Sequence, residues 1–145
     1  MKALVDTTGY AALMRGDEST ARFLDAAETV FLSTIVAGEL LAGFKGGTME
    51  RQNRLYLREF IEKGGKTIVL KVSIDTAERF ALIKDSLKRK GTPIPVNDIW
   101  IAAQCMETGA VLLSADTHFD AVDGLLVWKP GGELIQGVTR LYSKH

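Results

Sequence analysis

Short runs of unbroken apolar residues, each followed by a longer stretch with helical spacing, restrict the fold of this chain more than any other feature. Residues 3–5 (ALV), 29–33 (TVFLS), 67–72 (TIVLKV), 111–114 (VLLS) and 125–128 (LLVW) read as five strands. The runs LV, VFL, TIVL and VLL lack polar alternation, the pattern of strands covered on both faces. Between them, residues 8–14, 34–44, 49–63, 75–90 and 99–108 read as helices. Asp17 caps a further one, with Ala21, Leu24 and Ala27 on a single face. Glycines at 46–47, 64–65, 91 and 109 supply the stops. Thr92-Pro93-Ile94-Pro95 cannot be helical, so Asn97 or Asp98 is expected to cap the helix that follows.

Strands alternating with helices predict an α/β fold: a mostly parallel central sheet of about five strands, helices on both faces and right-handed crossovers. A length of 145 residues suits one such domain. We place it at residues 1–128 and leave 129–145 as a C-terminal tail to which the pattern gives no place. Eighteen basic residues balance eighteen acidic ones, so any attraction to an anionic polymer must be local. A single cysteine, Cys105, offers no disulfide within the chain and fits a reducing cytoplasm. The first acid, Asp6, comes too early for a secretory signal, and no run approaches the ~20 apolar residues of a membrane span.

In such folds ligands bind beyond the carboxyl ends of the strands. Asp6 directly follows the first strand, and Asp116 comes just after the fourth. Asp98 starts the helix leading into the fourth strand, and Glu39 lies early in the helix leaving the second. Each has an ordinary reading by itself. Asp98 can be a helix cap, Asp116 a turn residue, and Glu39 a side chain reaching for the rim from an apolar face formed by Ile35, Val36, Ala42 and Gly43. Placed at one edge, the four carboxylates would raise one another's pKa unless a cation sat among them. Oxygen ligands suit Mg²⁺ or Mn²⁺. The other candidate ligands, Cys105, His118 and His145, have no zinc-like spacing. Such a cation neutralises phosphate and activates water, which suits phosphodiester hydrolysis.

Ser114 stands two residues before Asp116, where it can orient it, and Asn97 can hold Asp98. Trp100 and Cys105 read as core, His118 as an exposed loop residue, and Lys88-Arg89-Lys90 as a solvated helix end.

These segments resemble a PIN-domain ribonuclease of the VapC toxin type. The resemblance runs from Leu4 to about Trp128. It rests on Leu4-Val5-Asp6-Thr7-Thr8 and Ser33-Thr34-Ile35-Val36-Ala37-Gly38-Glu39-Leu40, then Gly91 to Ala103 (GTPIPVNDIWIAA) and Leu112-Leu113-Ser114-Ala115-Asp116-Thr117-His118-Phe119. It implies an endoribonuclease dependent on Mg²⁺ or Mn²⁺, with Asp6, Glu39, Asp98 and Asp116 as its acidic quartet. Ser114 takes the family's Ser/Thr position, and Thr7 follows the first acid as a supporting residue. A homodimer and a cognate antitoxin protein are also implied. On this reading Asp6, Asp98 and Asp116 hold the metal, and Glu39 positions a metal or its water. Where the family commonly has Asp-Thr-Asn, this chain has Thr8.

Other readings keep part of the pattern. A catalytically weak PIN-like protein could serve as a binding or scaffold module. A haloacid-dehalogenase-type phosphatase needs a second aspartate where Thr8 stands, and a receiver domain needs its aspartate after the third strand, where the chain reads Leu70-Lys71-Val72-Ser73.

Overall fold

Seven strands form one sheet in the order β3-β2-β1-β4-β5-β6-β7. The computed structural model describes residues 1–137 and 139–143, with side chains through residue 137. The parallel part comprises β1 (Lys2–Val5), β2 (Thr29–Ser33), β3 (Thr67–Leu70), β4 (Val111–Leu113) and β5 (Leu126–Lys129). These are the five strands expected from the apolar runs. The tail adds two more. β6 (Glu133–Gln136) turns back on β5 through Gly131 and Gly132, and β7 (Thr139–Ser143) pairs antiparallel with β6. Val138, Lys144 and His145 lie outside the described residues.

The helices are α1 (Thr7–Met14), α2 (Glu18–Ala26), α3 (Thr34–Phe44), α4 (Glu50–Glu62), α5 (Ile74–Lys90) and α6 (Val96–Thr108). Asp17 caps α2 by accepting from the Thr20 amide, as expected. Ser73 and Thr76 form a reciprocal capping box that starts α5 one residue earlier than its spacing suggests.

The crossovers β1→β2→β3 step one way along the sheet, and β3→β4 steps back past β1. Right-handed crossovers therefore put α1–α4 and α5–α6 on opposite faces. The core follows from this: Leu4, Leu32, Val36, Ile101, Ala102, Leu112, Leu113 and Phe119 are buried. β3 departs from the expectation of burial on both sides. It is an edge strand, and Ile68 and Val69 are exposed. None of the β3 residues is buried, so an apolar run marks a strand without saying how many neighbours cover it. No helix among the described residues is long and apolar enough to cross a membrane.

Candidate metal centre

The strand order reverses between β1 and β4, so their carboxyl ends flank the crevice in which α/β sheets bind ligands. Asp6 stands at the end of β1. Its amide donates to the Leu113 carbonyl at 3.2 Å, which continues the β1–β4 ladder past the last strand residue. Its side chain caps α1, with Oδ1 accepting from the Gly9 amide at 2.7 Å. The hydroxyls of Thr8 (2.8 Å) and Ser114 (2.6 Å) complete its partners. Asp6 is only 4% exposed. Burial raises its carboxyl pKa above the ordinary value, against the lowering by the Ser114, Gly9 and Thr8 hydrogen bonds, and the Asp116 charge raises it further.

Ser114 does more than orient one acid. Its Oγ donates to Asp6 and also accepts from the Asp116 amide at 3.0 Å. Thr8 is part of the same knot. Besides donating to Asp6, its hydroxyl accepts from the Ala115 amide at 2.9 Å and lies 3.2 Å from Ser114 Oγ. So Thr8 ties α1 to the loop after β4. Lys129, at the end of β5, holds that loop from the other side. Its Nζ donates to the Asp116 carbonyl at 2.9 Å and pairs with Asp120 at 3.0 Å.

Neither of the two expected caps, Asn97 or Asp98, caps α6. The helix begins at Val96 with Pro95 in the capping position and no side-chain cap bond, which moves Asp98 into the first turn. Its carboxylate is thereby released toward the crevice, where the side chain is 14% exposed. Burial is the largest cause of its raised pKa. The His118 hydrogen bond opposes the shift, and the Asp116 and Glu39 charges add to it. Asn97 neither caps the helix nor holds Asp98. It is exposed and makes no side-chain hydrogen bond among the described residues.

Glu39 is half-buried, and its Oε1 accepts from the Thr7 hydroxyl at 3.1 Å. Thr7 thus ties the start of α1 to α3. Asp116 caps a short 3₁₀ turn, Thr117–Ala121, through the amide of His118, and the fully buried Phe119 pins that turn to the core.

His118 is the residue that the linear pattern missed. Its Nδ1 lies 3.0 Å from Asp98 Oδ2 and 3.0 Å from Asp116 Oδ1. Asp98, Asp116 and His118 form the one group of three or more potential ligands among the described residues whose donor atoms all lie within 4.8 Å of one another. Asp6 and Glu39 stand outside that group but close to it: the Asp116 charge acts on Asp6, and the Glu39 charge acts on Asp98. Two carboxylate oxygens and one imidazole nitrogen are a donor set that Mn²⁺ accepts and that, through its oxygens, also admits Mg²⁺. Cys105 is buried behind the site, where burial and the nearby Asp6 charge push its thiol pKa well up. Trp100 stacks on Phe80 at 4.0 Å and takes no part.

The PIN-domain family model matches residues 3–125. The chain belongs to the PIN-domain family. Solved structures share the fold. VapBC2 from Rickettsia felis, bound to a DNA fragment from its promoter, is similar with a TM-score of 0.78 and 22% identity, over 89% of this PIN chain and 98% of that one. DNA-bound VapBC from Salmonella typhimurium gives 0.76 and 23% over the same shares. Mycobacterium tuberculosis VapC20, a sarcin-ricin loop cleaving toxin, gives 0.60 and 17%, over 79% of this chain and 90% of that one. No curated protein sequence matches this chain.

Proposed function

We propose that this PIN domain is an endoribonuclease dependent on a divalent metal, Mg²⁺ or Mn²⁺, and the VapC-type toxin of a toxin–antitoxin pair. One observation carries the reading. Asp98 and Asp116 converge at the switch point of the sheet, with Asp6 and Glu39 nearby. Without a cation, such a crevice would repel an anionic substrate. Asp98 and Asp116 would hold the ion, and Asp6, through Ser114, fixes the loop that carries Asp116. When bound, the ion supplies charge neutralisation at a phosphate and a more acidic water. Glu39, anchored by Thr7, would accept a proton or orient water.

The similar structures include complexes named VapBC and a toxin that cleaves the sarcin-ricin loop, which supports RNA as substrate and an antitoxin as partner. A homodimer within the cytoplasm completes the proposal. The exposed apolar side chains of Ile68, Val69, Ile74, Leu82 and Val96 are candidates for covered surface.

The test is a cleavage assay on structured RNA with protein free of antitoxin, in Mg²⁺, Mn²⁺ or EDTA, beside Asp98→Asn and Asp116→Asn. Cleavage should require the metal and both carboxylates. Cutting that persists in EDTA and in both variants would reject the proposal. Metal binding without any cutting would favour a PIN-like binding module instead.

A further inference from the structure

The geometry points to His118 as an inner-sphere ligand of the metal, through Nδ1. This rests on the metal-dependent reading above and adds a nitrogen donor to it. The ring nitrogen sits 3.0 Å from a carboxylate oxygen of Asp98 and 3.0 Å from one of Asp116. Nε2 has no protein partner among the described residues, and the side chain is 48% exposed. The ring's proton can therefore reside on Nε2, facing water. Nδ1 then turns a lone pair toward two carboxylates, an arrangement that is repulsive unless a cation lies between the three atoms. The spacing suits one. Ligand atoms about 2.1 Å from an octahedral ion and at right angles about it are about 3.0 Å apart. Both short separations match that edge.

The ring is also held in place. The His118 amide donates to Asp116 Oδ1 at 2.9 Å, and the next residue, Phe119, is fully buried. The backbone that offers the nitrogen is thus fixed to the carboxylate that shares the ion. A nitrogen ligand has a chemical consequence. Imidazole is a better ligand for transition ions than for Mg²⁺, which keeps to oxygen donors, so the Mn²⁺-to-Mg²⁺ preference should be higher than in an all-oxygen site.

The experiment loads the purified chain with Mn²⁺ and records electron spin echo envelope modulation, which detects a directly bound nitrogen. Wild type should show nitrogen modulation. His118→Gln should lose it while still binding Mn²⁺, and its Mn²⁺-to-Mg²⁺ affinity ratio should fall. His145→Gln, the change at the other histidine of the chain, should keep the modulation. Bound Mn²⁺ without nitrogen modulation, or modulation that survives in His118→Gln, overturns the assignment and leaves the metal-dependent reading standing. No Mn²⁺ binding by wild type rejects both.

Discussion

Ser114 Oγ donates to Asp6 Oδ2 at 2.6 Å, joining the ends of β4 and β1 across 108 residues of sequence. The same oxygen accepts from the Asp116 amide, so one buried hydroxyl sets two of the acids. Ser114→Ala removes both bonds. The orphaned carboxylate and amide should cost about 1–3 kcal/mol. Asp6 would also lose the largest influence that lowers its pKa, so its carboxyl should rise further. Metal affinity and cleavage should drop roughly 10–100-fold, the usual penalty for losing a support of a metal site. Calorimetric Mn²⁺ titration beside a melting curve checks this; Ser114→Thr should recover most of the loss. Equal affinities in wild type and Ser114→Ala would show that the hydroxyl does not set the site.

Metal binding should weaken on acidification earlier than for an ordinary carboxylate. Asp98 is raised above its usual 3.8, chiefly by burial, with the Asp116 and Glu39 charges adding to it. Protons therefore compete with the ion at a pH where an exposed aspartate would still be fully ionised. Mn²⁺ affinity measured across pH in His118→Gln, where no imidazole competes for protons, should fall with a midpoint above 3.8. A midpoint at or below that value would contradict the raised carboxyl.

Asp6→Asn should cost activity yet not stability at neutral pH. The folded state holds the Asp6 proton more tightly than the unfolded chain, whose carboxyl titrates near 3.8. This group favours folding fully below 3.8, and that contribution is lost as pH rises through the raised folded value. An asparagine Oδ1 can still accept from Gly9 and Thr8. The variant's advantage over wild type should therefore grow with pH. Melting curves from acid to neutral pH decide it. A deficit that does not change with pH would mean that the charge is not the cost.

The fold was legible because its strands are short, apolar and separated by helical spacing, a pattern with few solutions. β2 and α3 fall where the residues put them. Asp98 was placed at the right edge for a partly wrong reason. The pattern treats a helix start as a capping side chain, but Pro95 opens α6 without one and Asp98 joins the first turn. His118 reads in one dimension as an exposed loop residue near Asp116, with nothing to bring it to Asp98. Only the 3₁₀ turn after Asp116 folds a ring two residues away back onto its own cap and against Asp98. The tail escaped because β6 and β7 form a hairpin added to an existing edge, a local pairing that β-α alternation does not foresee. Nor does a run of apolar letters separate the edge strand β3 from the central β1.

Gly9 offers the sharpest test of how closely α1 must approach β4. It needs no unusual backbone angle; what it needs is space. A Cβ there would overlap the Leu113 carbonyl oxygen, the same oxygen that accepts from the Asp6 amide. Gly9→Ala should push the first turn of α1 away from β4, lengthen the Asp6–Ser114 contact and destabilise the fold by about 1–3 kcal/mol or more. For a chain of this size each kcal/mol lowers the melting temperature by about 2–4 °C. Gly38→Ala is the matched control. It also lies within a helix, beside Glu39, but its added methyl meets nothing within 4 Å. Helix propensity alone then governs, and it should be neutral or stabilising by up to about 1 kcal/mol. If both variants melt alike, the close approach of α1 and β4 is not what holds Asp6 in register with Ser114.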